Sequence, residues 1–288
     1  MELKVIAYAR NGHTDKFGIP RQSRDESPIL TRIVFEPEYN VAEALRGIEG
    51  YSHLWLIWGF SASRPATPER PSQSDCKTQV RPAVGSQAGF AVGLSWSPTV
   101  RPPRLGGNKR MGVFATRSPF RPNPIGLSSV RLIGVCLNEK LKINDYEVSD
   151  KSTDRDFDMS KSDRQECSES GRMELIVSGA DVLDGTPIYD IKPYLSFSDS
   201  HPEAKNGFAE ETKNRTLEVE VLPALDQHLT STKPAQHLVS EICYILSQDP
   251  RPAYQDDPER EYKMDYAGYR VTFVVADGKV VVKKIEKI

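Results

Sequence analysis

Short stretches in which apolar and polar residues alternate recur through the first two thirds of the chain. Alternation with a period of two is typical of β-strands that bury one face. It predicts strands over residues 3–10, 30–36, 53–60, 111–117, 127–137 and 173–179. Proline, glycine, asparagine and serine separate these strands, and only residues 41–46 predict a helix among them. We therefore expect a mainly β protein built on an antiparallel sheet or barrel.

A smaller unit is predicted in the last third of the chain, beginning near residue 206. Residues 217–225 alternate as a strand does, whereas the apolar residues of 235–248 fall at helical spacing. Asp277 and Gly278 stand between two β-branched runs, which is a strong signal for a two-residue hairpin. These elements predict a small α+β domain over residues 206–288, after a larger domain over residues 1–200.

Two segments between the predicted strands have the composition of loops. Residues 61–98 are rich in serine and proline, and residues 144–172 are highly charged with few apolar residues. Such segments bury too little apolar surface to fold by themselves. We expect both to be exposed insertions without secondary structure.

The charge of the chain is unevenly distributed. Its 288 residues carry a formal net charge of −2, which by itself would argue against a nucleic-acid partner. Between Cys76 and Asn138, however, there are nine Lys or Arg residues and no Asp or Glu. Local positive charge of this kind favours a surface that binds phosphate or another anion.

Several common kinds of site are missing from the sequence. It contains neither a G-x-G-x-x-G nor a G-x-x-x-x-G-K-[ST] loop, and neither H-E-x-x-H nor a nucleophile elbow. The four cysteines form no C-x-x-C pair, so we expect neither a metal site nor a disulfide framework. The first residues do not resemble a secretory leader, and no run of 18 apolar residues occurs. A cytoplasmic protein without a membrane anchor is therefore expected.

Two candidate sites are weak when they are considered alone. Pro20, Arg21 and Gln22 lie in a turn that composition would leave as a solvated loop. His53 begins an apolar run, where histidine is more often a hydrogen-bonded structural residue than a catalytic base.

The strongest candidate is the segment 101–126, which contains five arginines, one lysine and five prolines and no acid. The prolines lower the entropy lost when the loop orders around a ligand. Arginine suits carboxylate or phosphate, and Asn123 offers both a donor and an acceptor to a purine edge. A second polar cluster lies in residues 180–195, where carboxylates could bind ribose hydroxyls or a cationic centre.

Six motifs, in a fixed order along the chain, carry a resemblance to a known family. They read PRQ at 20–22, SHLW at 52–55, PPRLGGN at 102–108, GVFATRSPFRPNPIG at 112–126, DGTPIYDIKPY at 184–194 and DPRPAY at 249–254. Together they resemble the TrmO family of tRNA (adenine-N6)-methyltransferases, also called TsaA-like proteins. The resemblance spans nearly the whole chain.

The resemblance implies an S-adenosylmethionine-dependent enzyme that methylates N6 of threonylcarbamoyladenosine at position 37 of tRNA. It also implies a single-sheet antiparallel β-barrel in place of a Rossmann fold, a homodimer and a small C-terminal domain. The implied cofactor contacts are Pro20, Arg21, Gln22, Arg117, Leu127, Asp181, Val182, Leu183 and Asp184.

Residues for catalysis and for RNA binding stay open at this point. The acceptor N6 carries a carbamoyl group that delocalises its lone pair, so a general base or a polarising cation would help. The catalytic candidates are His53, Asp184, Asp190, Lys192 and Tyr194. The candidates for tRNA phosphate or the threonyl carboxylate are Arg104, Lys109, Arg110, Arg121 and Arg251, and Asn123 is a further candidate for RNA binding.

Two other functions fit the same sequence. Many members of the family carry histidine where this chain has Ser61, directly after Phe60. A tRNA-binding or regulatory protein without catalysis therefore stays open, as does a methyltransferase of another substrate.

Overall fold

A computed structural model describes most of the chain, and it is mainly β, as the alternating pattern predicts. The described residues are 2–20, 22–60, 96–102, 109–137, 140–143, 172–212, 216–222, 233–251 and 257–288. The predicted insertions fall largely outside these ranges, since residues 61–95 and 144–171 are not among them.

The larger unit consists of strands joined by loops and short 3-10 turns. Its strands are β1 (Ala7–Arg10), β2 (Leu30–Phe35), β3 (His53–Gly59), β4 (Thr99–Val100), β5 (Met111–Gly112), β6 (Ile125–Leu137), β7 (Lys140–Ile143), β8 (Glu174–Ser178) and β9 (Pro187–Pro193). A single helical turn, α1 (Ser196–Asp199), follows β9. The 3-10 turns are Lys16–Gly18, Pro37–Tyr39, Ala42–Leu45, Ile48–Gly50 and Val113–Ala115.

One sheet closes on itself to form a six-stranded antiparallel barrel. Its strand order is β3-β9-β1-β2-β8-β6, and β6 pairs back with β3 to complete the ring. In the closing ladder His53 stands opposite Arg131 and Gly59 opposite Ile125. β7 extends the sheet from β6, while β4 and β5 form a separate ribbon. The expected single-sheet barrel is confirmed.

The strand period of two decides which side chains fill the barrel. Along β3, Leu54, Leu56 and Trp58 are buried in the core, and the residues between them point outward. Because paired residues of an antiparallel ladder share a face, the outward residues of β3 lie beside those of β6 and β9. The outer face of these three strands is therefore a continuous surface.

The C-terminal unit is a four-stranded sheet packed against one helix. Its elements are β10 (Glu218–Val221), α2 (Lys233–Ser247), β11 (Tyr262–Tyr266), β12 (Tyr269–Ala276) and β13 (Lys279–Lys287), with strand order β10-β13-β12-β11. Asp277 and Gly278 both have positive φ, 52° and 75°, which confirms the predicted two-residue hairpin. No helix of the described residues is long and apolar enough to cross a membrane.

The segment between β1 and β2 joins the barrel to the C-terminal sheet. Ile29 is buried in the core of the C-terminal unit, and Phe17 packs against that core. A Cβ on Gly12 would lie 2.7 Å from the ring of Tyr266, so only glycine fits there without a shift. The amide of Ala267 also donates to the Gly12 carbonyl at 2.9 Å. The two units therefore share one packed junction.

Three expectations need correction. The segment 111–117 is a strand only over Met111–Gly112, because the chain then turns and Thr116 donates its hydroxyl to the Val113 carbonyl at 2.8 Å. Residues 41–46 form a 3-10 turn, Ala42–Leu45, since so short a segment does not sustain an α-helix. Cys136 is disulfide-bonded, although the scattered cysteines gave no such signal.

The junction should make stability depend on pH through His13. This side chain is 1% exposed, and its ring meets that of Tyr266 edge-on at 5.2 Å. Within the described residues neither of its ring nitrogens has a hydrogen-bond partner. Burial lowers the pKa of His13 from 6.5 to about 4. The unfolded chain therefore binds a proton more readily than the folded protein, and stability falls as the pH drops below 6.5 toward 4.

We expect the wild type to lose about 2 kcal/mol more unfolding free energy than His13→Leu between about pH 7.5 and about pH 5. Urea denaturation at the two pH values measures this difference. His201→Leu is the control, because His201 is exposed and should respond as the wild type does. An identical pH response of His13→Leu and the wild type would contradict the assignment.

Candidate functional site

Three residues predicted to contact a cofactor, Gln22, Arg117 and Asp181, come together from three loops. Arg117 donates a hydrogen bond to the Gln22 side-chain carbonyl at 2.5 Å. Burial raises the pKa of the Asp181 carboxyl, and the charge of nearby Arg117 opposes that shift. A fourth predicted contact, Leu127, precedes Ser128, which bonds Asp181, but its side chain is 52% exposed on the opposite, outer face of β6. The sequence therefore predicted a cluster that the fold assembles.

A buried hydrogen-bond chain fixes the floor of this cluster. The Trp58 indole N–H donates to Ser128 Oγ at 2.8 Å, and Ser128 in turn donates to Asp181 Oδ1. Gly126 lets the indole lie flat against the β6 backbone, because a Cβ there would be 2.2 Å from Trp58 Cε2. The carboxylate is thus held in place from inside the barrel.

The loop after β8 is anchored by the turn that follows β1. The Asn11 side-chain amide donates to the Val182 carbonyl at 3.0 Å and to Thr31 Oγ1 at 3.2 Å. The Asn11 backbone amide donates to Asp184 Oδ1 at 3.2 Å, and the Asp184 amide donates to the His13 carbonyl at 2.9 Å. Residues 182–184 are therefore positioned by the same turn that packs on the C-terminal sheet.

An open pocket of about 450 Å³ lies on the outer face of the barrel, next to this cluster. Strand β3, strand β6, the end of β9 and the loop before β2 supply its walls. The lining residues are Ser23, Asp25, His53, Trp55, Ser129, Tyr194 and Asp199.

Of the five catalytic candidates, the fold brings His53 and Tyr194 together in this pocket. Their ring centroids are 6.1 Å apart. Asp190 and Lys192 form an exposed ion pair at 3.0 Å on β9. Lys192 stands opposite Trp55 in the β3–β9 ladder, so this ion pair shares the outer face of the pocket. Asp184, in contrast, belongs to the loop after β8 and lies 3.6 Å from Arg10 in another ion pair.

The predicted RNA-binding residues also separate. Lys109, Arg110 and Asn123 are exposed, and Arg110 donates to Thr99 Oγ1 at 3.0 Å. Arg121 instead donates to the Thr116 carbonyl of its own loop at 2.6 Å.

Arg251 lies in the C-terminal unit and is 10% exposed, with its Nε atom 2.8 Å from Asp249. Hydrogen bonding to Asp249 raises the pKa of its guanidinium. Arg21 and Arg104, together with Ser61, lie outside the described residues.

Sequence reasoning missed most of the pocket. Asp25 stands among other charged residues and looked like part of a solvated loop, and Asp199 and Ser129 carried no motif. The strand pattern could have predicted Trp55. It lies between buried Leu54 and Leu56, so its side chain has to point outward on the same face as His53. Among the described residues, no group of three or more His, Cys, Asp and Glu side chains could hold a metal ion.

Comparison with known proteins identifies relatives over almost the whole chain. The model of the tRNA-methyltransferase O N-terminal domain matches residues 8–157 and 159–200, and that of the TrmO C-terminal domain matches residues 214–288. A tRNA (adenine(37)-N6)-methyltransferase of Escherichia coli K12 is 32% identical over 96% of this chain and 94% of its own.

Two further relatives come from Pseudomonas aeruginosa. One is named a putative S-adenosylmethionine-dependent methyltransferase and is 33% identical over 90% of this chain and 86% of its own. The other is a crystal structure of TrmO, which superposes with a TM-score of 0.63 at 26% identity and covers 100% of this chain and 97% of its own.

The donor set beside β6 fits the chemistry of S-adenosylmethionine. A guanidinium suits the carboxylate of its methionine part, and carboxylates suit hydroxyl and ammonium groups. Arg117 and the buried Asp181 supply one group of each kind, while exposed Leu127 offers apolar surface.

The anchoring by Asn11 can be separated from general stability. Asn11→Ala removes the hydrogen bonds to Val182 and Thr31, and we expect it to lower the unfolding free energy by about 1–3 kcal/mol. It should also weaken S-adenosylmethionine binding in calorimetry, because residues 182–184 lose their anchor.

Asn40→Ala is the matched control. Asn40 Oδ1 accepts the Met173 amide at 2.6 Å and makes no hydrogen bond to residues 182–184 among the described residues. It should cost similar stability and leave cofactor affinity unchanged. Equal cofactor affinity in both variants would remove the anchoring role of Asn11.

Proposed function

The chain belongs to the tRNA-methyltransferase O family, and we propose that it transfers the methyl group of S-adenosylmethionine to N6 of threonylcarbamoyladenosine at position 37 of tRNA. The family relationship supports the cofactor and the class of reaction. The choice of threonylcarbamoyladenosine as the acceptor is proposed in addition to that cofactor and reaction class.

One observation carries the proposal more than any other. Gln22, Arg117 and Asp181, which are distant in sequence, lie together, and a pocket with aromatic and carboxylate walls adjoins them through Ser23. A methyl donor and a planar acceptor need two adjacent recesses of this kind. Holding both partners in line is worth about 7–11 kcal/mol of the barrier in favourable cases.

The cofactor, when bound, supplies a sulfonium-activated methyl group, and the protein's residues hold and orient the two reactants. In the proposal Arg117, held by Gln22, binds the carboxylate of the methionine part. Asp181 and residues 182–184 bind the ribose hydroxyls or the ammonium group. Pro20 and Arg21 directly precede Gln22 in the sequence and complete the proposed contacts.

The proposed RNA contacts are the exposed cations of the β5 region. Lys109 and Arg110 are exposed next to β5, within the acid-free stretch of the sequence. Phosphate contacts of this kind position an RNA without reading its sequence. Arg121 supports the loop 113–121 from inside, because its guanidinium is bound to the loop's own carbonyl.

We also propose a cytoplasmic homodimer. Phe114, Phe120, Ile125 and Leu127 are 72%, 42%, 38% and 52% exposed, and they belong to one short segment beside the proposed cofactor site. Exposed apolar side chains grouped in this way favour a protein–protein contact.

The function is tested by methylation of tRNA in vitro. Purified enzyme and S-adenosylmethionine should produce the N6-methylated nucleoside from tRNA that carries threonylcarbamoyladenosine, detected by mass spectrometry, and none from tRNA without that group. Methylation of a different nucleoside would show that threonylcarbamoyladenosine is not the substrate. Cofactor binding without any methylation would favour a regulatory protein.

Arg117→Ala should raise the Kd for S-adenosylmethionine about 10- to 100-fold, since a charged hydrogen-bonding group is lost. Arg172→Ala is the control, because Arg172 pairs with Glu36, away from the site, and should leave the Kd unchanged. Wild-type affinity in Arg117→Ala would remove this residue from the cofactor site.

The homodimer has its own test. Phe114→Asp puts a charge into the proposed interface and should shift the mass measured by light scattering from dimer to monomer. Phe197→Asp serves as the control, since Phe197 is 87% exposed on α1 and lies outside the patch. A monomeric wild type would overturn the dimer.

A further inference from the structure

We propose that the pocket beneath Trp55 and Tyr194 receives the acceptor base and that Asp25 takes the proton released from N6. This inference rests on the proposed function and assigns the acceptor half of the same site. Asp25 matches none of the six motifs.

The position of the pocket supports the assignment first. Leu127 and Ser129 share the outer face of β6 and are two residues apart, which places them about 7 Å from each other. Ser23, in the opposite wall, directly follows Gln22. The pocket therefore adjoins proposed cofactor contacts on two sides, which is where the base that receives the methyl group would have to lie.

The aromatic walls suit a planar ring. The centroids of Trp55 and Tyr194 are 5.5 Å apart, with the rings tilted by 46°. Unstacked bases of RNA loops are commonly bound on aromatic side chains in this way. Tyr194 is also held by its backbone, whose amide donates to the His53 carbonyl at 3.0 Å.

Asp199 keeps the Trp55 ring in this orientation. One of its oxygens, Oδ2, accepts the Trp55 indole N–H at 2.8 Å and the Leu195 amide at 3.0 Å. The Leu195 amide and the Trp55 indole together lower the pKa of the Asp199 carboxyl. Asp199 is therefore a positioning residue, and its role leaves Asp25 as the carboxylate available to a ligand.

Asp25 is oriented by a chain of two further side chains. Its Oδ1 lies 3.0 Å from His53 Nε2, and Ser52 Oγ lies 2.9 Å from His53 Nδ1. A carboxylate can only accept, so Nε2 donates to Asp25, and in the neutral form of the ring Nδ1 then accepts from the serine hydroxyl. The Asp25 side chain is 59% exposed, and within the described residues its Oδ2 has no hydrogen-bond partner. One oxygen is thus fixed by His53, and the carboxylate is part of the pocket wall.

The loop that carries Asp25 is itself tied to the barrel. Ser178 Oγ donates to the Ser27 carbonyl at 2.7 Å. Gly179, at φ 85°, lets the chain approach the Arg24 carbonyl, which a Cβ would meet at 2.4 Å. The carboxylate therefore stands on a rigid support, as a group that must meet a reacting atom requires.

The assignment gives a balanced transfer. The N6 lone pair forms the new bond to the methyl carbon, the bond from that carbon to sulfur breaks, and the sulfur keeps its electron pair. The proton of N6 passes to Asp25 Oδ2. Arg131 stands opposite His53 in the β3–β6 ladder, on the same face as Ser129, where its charge suits the threonyl carboxylate.

The test combines turnover with binding of the free nucleoside. Asp25→Asn keeps the shape and the oxygen that accepts from His53, and removes the proton acceptor. We expect it to lower kcat by about 100- to 10,000-fold while the Kd for S-adenosylmethionine stays within about twofold of the wild type. Asp277→Asn, at an exposed turn where asparagine also adopts a positive φ, is the control and should keep full activity.

Tyr194→Ala should weaken binding of N6-threonylcarbamoyladenosine about 5- to 100-fold in calorimetry, because one stacking wall is lost. Tyr194→Phe keeps the ring and should restore the affinity. Unchanged kcat in Asp25→Asn, or unchanged nucleoside affinity in Tyr194→Ala, would overturn the corresponding part of the proposal while methylation by the wild type still stood.

If the wild type methylates nothing, the proposed function fails, and nucleoside binding alone then decides the pocket. Binding that depends on Tyr194 would support the pocket as a base site even in that case. Equal binding by the wild type and Tyr194→Ala would reject it.

Discussion

The pairing of β3 with β6 is the interaction on which the rest of the structure depends. Without this ladder the six strands would form an open sheet with two edges. Its register places the outward residues of β3 directly beside those of β6, so that Trp55 faces Ser129 and Ile57 faces Leu127. A shift by one residue would turn all of them into the core. Barrel closure and the site therefore have one cause.

A second constraint comes from the turn between β1 and the first 3-10 segment. Asn11 holds Val182 in the loop after β8 with its side chain, Gly12 receives the ring of Tyr266, and His13 is buried against the same ring. Three consecutive residues thus contact a loop of the barrel and a strand of the C-terminal sheet. The buried histidine weakens this junction in acid, because its neutral form is the one that fits.

The sequence predicted those features that depend on local pattern. Alternation located β3 and β6 within two residues, and Asp277-Gly278 located the last hairpin. The prediction of a strand over residues 111–117 was too long. Only Met111 and Gly112 pair with a neighbouring strand, and alternation does not show how many residues find a partner. Motifs found Gln22 and Arg117, whereas Asp25 became recognisable only when the fold brought it to His53. Contacts between distant segments depend on register, which no local pattern contains.

The packing of Phe17 and Ile29 into the C-terminal core also makes the barrel depend on the second unit. Loss of the C-terminal unit from this chain would expose both side chains, together with His13, on the surface of the barrel. Gln22 and Asp25 lie between Phe17 and Ile29 in the sequence. A truncated form of this chain would therefore carry newly exposed apolar surface in the segment that bears these two side chains.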